Sequence, residues 1–105
     1  MKTITAEELR EKLLSGSPVQ VIDLREAYER DICSLNSEHI PLGDLLTQLH
    51  QLRRDVPVVL HCKGGDRAKA AVAALHQKHG FDNVYNLEGG IMAWAERIDP
   101  LMEKY

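Results

Sequence analysis

The chain has 105 residues, enough for one domain with a single buried core. With 44% hydrophobic and 28% charged residues, its composition is that of a folded globular protein and excludes a disordered one. The formal net charge is −3 and the 13 basic residues form no block, which argues against nucleic acid or an anionic membrane as a partner.

No apolar run approaches the roughly 18 residues that a membrane-spanning helix needs. Residues 1–12 turn polar and charged at once, unlike the start of a secretion signal. We therefore expect a cytoplasmic protein in which residues 1–105 form a single domain and Cys33 and Cys62 are free thiols. A disulfide between the two cysteines is the alternative.

The first predicted elements are a capped helix and a buried strand. Thr5 and Glu8 have the spacing of a capping box, and the helix that they begin should end near Gly16. Residues 19–24 are a largely β-branched run that is typical of a buried strand. Residues 25–31 are charged without a clean period, which indicates a turn and a short helix. The apolar face expected for the first helix consists of Ala6, Leu9 and Leu13.

The rest of the chain continues the alternation of helices and strands. A second helix is expected to begin within residues 40–44, and residues 56–61 form the most continuous apolar strand. A glycine-bearing loop follows, then a helix that begins near Ala68 and stops at Gly80. Residues 83–87 predict a last strand, before a final helix. This order predicts an α/β fold with a mainly parallel central sheet and helices on both faces. The apolar stripes of the second and last helices are Leu45, Leu46, Leu49 and Leu52, and Ile91, Trp94, Ala95 and Ile98.

The loop after the second buried strand carries the strongest signal for chemistry. Ligands collect at the carboxyl ends of parallel strands, and Cys62 lies at such an end. Gly64 and Gly65 permit backbone angles closed to other residues, so successive N–H groups can point inward and hold an anion. The following helix N-terminus, together with Lys63 and Arg67, adds positive charge. These features favour the thiolate of Cys62, a nucleophile able to form a covalent intermediate.

Four segments together resemble the rhodanese family. Residues 61–68 (HCKGGDRA) resemble its active-site loop, Cys-x-x-Gly-x-Arg followed by a small residue. Three others, DLRE at 23–26, HIPL at 39–42 and LEGGIMAW at 87–94, are similar to further family segments in the expected order. The resemblance implies a rhodanese-like three-layer fold. It also implies a sulfurtransferase that accepts sulfane sulfur as a persulfide and passes it to a thiophilic acceptor.

Positions in the loop carry over to roles in that chemistry. The resemblance makes Cys62 the sulfur-accepting nucleophile and Arg67 the cationic end of the cradle around the substrate. Asp23 and Arg25 would brace the loop, and a merely solvated charged turn is the alternative for that pair. No cofactor or metal is implied. The remaining members of the cradle are Lys63, Gly64, Gly65, Asp66 and Ala68.

A narrower likeness bears on partners. Residues 31–35, 93–95 and 98–100, with Tyr105, are similar to the C-terminal rhodanese domains of molybdopterin-synthase and ubiquitin-like-modifier adenylyltransferases. This likeness implies a small sulfur-carrier protein as acceptor, with cyanide or a thiol as the simpler acceptors. The implied donors are thiosulfate and the persulfide of a cysteine desulfurase.

Two other classes of function are alternatives. Phosphatases and arsenate reductases of related folds enclose an oxyanion with His-Cys-x5-Arg, whereas only four residues separate Cys62 from Arg67. The shorter loop should hold one sulfur atom better than a phosphoryl group. A docking or regulatory module with little turnover is the other alternative. Some modules of this kind have lost the nucleophilic cysteine. This chain retains it as Cys62, which argues against the docking alternative.

Several side chains allow two interpretations. Asp66 either caps the following helix or uses its charge to discourage small dianions such as thiosulfate. Cys33 is either a packed small hydrophobe or a thiol that resolves the persulfide as a disulfide. His61 either ends its strand or helps to activate the nucleophile. His76 and His79 lie three apart, but no Cys or acid completes a tetrahedral set, so no metal is expected.

Overall fold

The computed structural model describes residues 2–105, which form an α/β fold around one five-stranded sheet. Every strand pairing is parallel, in the order β1-β5-β4-β2-β3. The predicted fold class is therefore confirmed. The strands are β1 Thr3–Ile4, β2 Gln20–Asp23, β3 Glu38–His39, β4 Val58–His61 and β5 Val84–Leu87. The helices are α1 Ala6–Ser15, α2 Ala27–Ile32, α3 Asp66–His79 and α4 Gly90–Arg97.

The sheet divides the core into two parts, because successive side chains of a strand point to opposite faces. Val58 and Leu60 of β4 belong to a cluster that also contains the apolar face of α3. Val59 belongs to a second cluster with Leu9 of α1, against which Trp94 of α4 packs. Helices thus cover both faces of the sheet, which confirms the three layers.

The capping signals of α1 are confirmed in detail. The Thr5 hydroxyl accepts a hydrogen bond from the Glu8 amide at 3.1 Å, and the Glu8 carboxylate accepts one from the Thr5 amide at 3.0 Å. Gly16 ends the helix in the left-handed conformation, with φ of 72°. Leu13, expected on the buried face, is instead 48% exposed, since only the N-terminal half of α1 packs into the core.

The helix predicted after residue 40 is wrong in type. The segment forms two 3₁₀ helices, Leu42–Thr47 and Leu49–Gln51, whose turns close between residues three apart. Gly43 and Thr47 are weak α-helix formers, which favours these tighter turns. Leu45 and Leu52 are buried as expected, whereas Leu46 is 64% exposed.

The two edge strands, β1 and β3, were not predicted. Each has two residues, too few for an alternating pattern of apolar and polar side chains. Their pairing completes the sheet on either side of three longer strands. Within residues 2–105, no helix has the length and apolar character required to cross a bilayer.

The centre of the sheet brings two functional segments together. Strands β2 and β4 are neighbours, and Asp23 pairs in register with His61 at their carboxyl ends. Because the strands are parallel, the residues that follow each of them emerge at the same edge of the sheet. This edge holds every site residue that the sequence predicted.

Candidate active site

Cys62 lies directly after β4, with its side chain 1% exposed. The amides of Gly65 and Ala68 donate hydrogen bonds to its Sγ atom at 3.2 and 3.4 Å. Gly65 has φ of 108°, a conformation that side chains with a Cβ rarely adopt. The predicted inward-facing amides are present, although Gly64, expected to share this backbone, has no positive φ. Two aligned N–H dipoles favour a negatively charged sulfur at this position.

Helix α3 begins one turn after the nucleophile and directs its N-terminus toward the loop. Its N-cap residue is Gly65, so the capping role expected for Asp66 is wrong. Asp66 is the first helical residue and is exposed, where its charge complements the helix dipole. Ala68 is fully buried, which explains why a small residue follows Arg67.

The start of α4 fixes the loop from the other side. The amides of Ile91 and Met92 donate to the carbonyls of Cys62 and Lys63 at 2.9 and 3.1 Å. These bonds hold the backbone of Cys62 and Lys63 against the start of α4. Gly90 makes this contact feasible, since a Cβ there would lie 2.4 Å from the Lys63 carbonyl oxygen. The second glycine of the LEGGIMAW segment thus has a steric reason.

Asp23 and Arg25 form a fully buried ion pair behind the site. Arg25 donates from Nε and Nη2 to the Asp23 carboxylate at 3.0 and 2.9 Å, and both side chains have no exposure. Burial acts to raise the pKa of Asp23, but the hydrogen bonds from Arg25 outweigh it and the pKa is lowered. Arg25 also donates to the carbonyls of Glu29 and Cys33, so the pair ties β2 to α2.

Glu29 and Tyr105 connect this pair to the loop, and sequence reasoning missed their role. The Arg67 guanidinium donates to both oxygens of Glu29, at 2.7 and 2.9 Å. The Tyr105 hydroxyl donates to Glu29 at 2.6 Å and accepts from Arg25 at 3.0 Å. The bonds from Arg67 lower the pKa of Glu29 to about 2. Burial raises the pKa of Tyr105 to about 12, which leaves its hydroxyl protonated and able to donate.

Both cations of the loop are therefore engaged by other side chains. Arg67 is bound at both nitrogens by Glu29, and the Lys63 ammonium lies 4.4 Å from the centre of the Tyr105 ring. Arg25, and through it Asp23, is linked to the loop by hydrogen bonds that run through Tyr105 and Glu29 to Arg67. The bidentate pair with Glu29 also argues against a phosphatase, in which a guanidinium must meet the transferred group.

His61 and Cys33 are buried beside the site. Burial lowers the pKa of His61 to about 4, so the imidazole is neutral at pH 7. Its Nδ1 atom has no hydrogen-bond partner within residues 2–105, and Nε2 lies 3.4 Å from the Ser37 hydroxyl. Cys33 and Cys62 are both free thiols, as predicted. Across the described part of the chain, no three metal-binding side chains lie together.

A parallel α/β sheet that presents a cysteine among inward-facing amides defines a class of proteins that use a thiolate for covalent group transfer. The chain belongs to the rhodanese-like domain family, whose model matches residues 5–97. Family membership and named sulfurtransferase relatives support sulfur transfer as the general reaction.

Three similar proteins illustrate the relationship. The probable adenylyltransferase/sulfurtransferase MoeZ of Mycobacterium tuberculosis is 39% identical over 98% of this chain, which spans only 27% of that protein. A rhodanese-like domain protein from Staphylococcus aureus superposes with a TM-score of 0.82 at 33% identity, covering 100% of this chain and 99% of that one. A NAD-dependent persulfide reductase from A. fulgidus gives a TM-score of 0.69 at 32% identity, over 90% of this chain and 16% of that chain.

Proposed function

We propose that this chain accepts sulfane sulfur on Cys62 as a persulfide and passes it to a thiophilic acceptor. The observation that carries the proposal is the pair of amides, of Gly65 and Ala68, that donate to Sγ. They lie in a loop with four residues between Cys62 and Arg67, which suits a single sulfur atom. The same amides can stabilise a thiolate before the reaction and a persulfide anion after it.

The transfer has two balanced steps. The Cys62 thiolate attacks the outer sulfur of thiosulfate, the bond between the two thiosulfate sulfurs breaks, and sulfite leaves with its electron pair. The thiolate of an acceptor then attacks the outer sulfur of the persulfide. That sulfur moves to the acceptor, and the Cys62 thiolate is restored. A protein donor reacts in the same way. The Cys62 thiolate attacks the outer sulfur of the donor's persulfide, and the donor cysteine leaves as a thiolate.

The natural partners form part of the proposal. Similarity to an adenylyltransferase/sulfurtransferase supports a small sulfur-carrier protein as acceptor. We propose the persulfide of a cysteine desulfurase, or thiosulfate, as the donor. We propose that residues 1–105 act as one domain in this exchange, in the reducing cytoplasm where two free thiols persist. Within the site we assign Cys62 as nucleophile and the Lys63–Ala68 backbone as the cradle. Arg67 is its cationic end, braced by Asp23 and Arg25.

Intact mass measures the proposed intermediate directly. The protein is incubated with thiosulfate, and separately with a cysteine desulfurase and cysteine. We expect a gain of one sulfur that dithiothreitol removes. The Cys62→Ser variant should show no gain, whereas Cys33→Ser, which removes the other buried thiol, should load normally if Cys33 only packs.

Each result has a defined meaning. Loading from either donor that requires Cys62 supports the proposal, and the effective donor indicates the pathway. Absence of loading from both donors, in a protein with a cooperative unfolding transition, contradicts the proposal. In that case, the docking module with little turnover becomes the better description.

A further inference from the structure

Both cations of the Cys62 loop are occupied by other protein groups. Arg67 is held by Glu29 through two hydrogen bonds, and Lys63 lies over the Tyr105 ring. A small dianion that enters this loop would rely on those two positive charges. In the resting protein the charge of Arg67 is already balanced by the Glu29 carboxylate, so such an anion meets a site with less positive charge than the two side chains could supply.

Glu29 is fixed in place more firmly than a surface carboxylate. Its side chain is only 4% exposed and accepts bonds from Arg67, from the Tyr105 hydroxyl and from the Glu26 amide. Its pKa of about 2, lowered chiefly by the bonds from Arg67, keeps it ionised at neutral pH. Arg67 can release it only by leaving a buried carboxylate with fewer partners.

Tyr105 holds this arrangement from the far end of the chain. Its hydroxyl bridges Arg25 and Glu29, which lie 80 and 76 residues away in sequence. Tyr105 is half-buried, and its ring contacts the Lys63 ammonium. Tyr105 therefore contacts one loop cation, Lys63, directly and the partner of the other, Glu29.

We propose that Glu29, positioned by Tyr105, is a specificity-determining residue that disfavours small dianionic sulfur donors at Cys62. A donor protein brings its outer sulfur on a cysteine and does not need the loop cations for binding. This inference rests on the proposed sulfur transfer and concerns which donor the site takes. Glu29 acts through Arg67 and does not touch the reacting sulfur.

The test compares Glu29→Gln with wild type, using thiosulfate as the donor. Glutamine keeps an acceptor for Arg67 and for the helix cap but removes the charge. We expect KM for thiosulfate to fall roughly tenfold at low ionic strength, with kcat little changed. The gain should shrink toward zero at about 1 M salt, because screening weakens attraction between the loop and the anion. Loading from a cysteine desulfurase should be unaltered.

Two further variants separate charge from fold. Glu7→Gln removes the same charge from an exposed pair with Arg97 on α4, and should leave KM for thiosulfate unchanged. Tyr105→Phe keeps the ring and removes the bridging hydroxyl, and should lower KM by about threefold. Because Tyr105 acts through Glu29, the double variant should match Glu29→Gln alone. A merely structural role would instead lower kcat and the urea midpoint together.

A binding measurement keeps the inference independent of turnover. Thiosulfate is titrated into Cys62→Ser and into Cys62→Ser with Glu29→Gln, followed by amide shifts of the loop. Tighter binding to the double variant supports the inference, whereas KM and affinity both within twofold of the parent overturn it. If no donor loads Cys62 in any variant, the proposed function fails, and this binding comparison alone decides the role of Glu29.

Discussion

Replacing Gly90 with alanine tests the contact that shapes the Cys62 loop. The new Cβ would lie 2.4 Å from the Lys63 carbonyl oxygen and 2.6 Å from that of Cys62, so the loop or α4 must move by about 1 Å to restore ordinary contact. Residue 90 also has φ of 61°, which costs alanine about 1–2 kcal/mol. Overpacking adds about 1–3 kcal/mol. We expect a total loss of about 2–5 kcal/mol, a large part of the stability of a small domain.

Urea unfolding of Gly90→Ala and Gly80→Ala separates the two contributions. Gly80 has nearly the same backbone, with φ of 70°, but a Cβ there meets nothing within 4 Å. Its replacement should cost only the conformational strain, about 1–2 kcal/mol. Sulfur transfer should fall about 100-fold in Gly90→Ala, since a misplaced loop turns its amides from Sγ. Equal stability losses in the two variants, with transfer intact, would refute the steric account of Gly90.

Three further predictions concern buried ionisable side chains. Asp23→Asn leaves Arg25 without its anion and should cost about 3–5 kcal/mol in urea unfolding. Asp55→Asn, at an exposed carboxylate, should cost far less, and similar losses at both positions would contradict this reasoning. His61 has a folded pKa of about 4 against an ordinary 6.5, so its contribution to stability is complete above pH 6.5 and is lost as pH falls toward 4. Between pH 6.5 and pH 4, the free energy of unfolding should fall less in a His61→Gln variant than in the wild type. An equal fall in the two proteins would argue against a lowered pKa of His61. Glu29 has a folded pKa of about 2 against an ordinary 4.5, so its contribution to stability is complete above pH 4.5 and disappears toward pH 2. In Glu29→Gln, the melting temperature should therefore change less with pH between 4.5 and 2 than it does in the wild type. The same pH dependence in both proteins would count against the ion pair.

Local signals in the sequence were sufficient to predict most of the fold. The capping box at Thr5 and the terminating glycines at Gly16 and Gly80 depend on residues a few positions apart, and all three are confirmed. The central strands are continuous apolar runs, so they too could be predicted. In the segment that forms 3₁₀ turns, Gly43 disfavours a regular α-helix, whereas the leucine spacing favours one, and the prediction followed the leucines.

The candidate site was predictable only in part. The cysteine, the glycines and Arg67 lie within one loop, so their proximity follows from the sequence. The position of Glu29, the partner of Arg67, does not, because Glu29 precedes Arg67 by 38 residues, and Tyr105, which binds Glu29, follows it by 76. No helix or strand period relates positions so far apart. Only the packing of α2 and the end of the described chain against the loop brings them together.

The origin of the contacts around Sγ separates two properties of the site. The donors to the sulfur are the backbone amides of Gly65 and Ala68, and the first residues of the same loop are held by α4 amides that bind the carbonyls of Cys62 and Lys63. Most side-chain substitutions leave these contacts in place, so the capacity to hold a sulfur anion depends mainly on Gly65 and Gly90. The charge offered to a donor depends instead on side chains, chiefly Glu29 opposite Arg67. Donor preference can therefore change by a single charge while persulfide chemistry is retained.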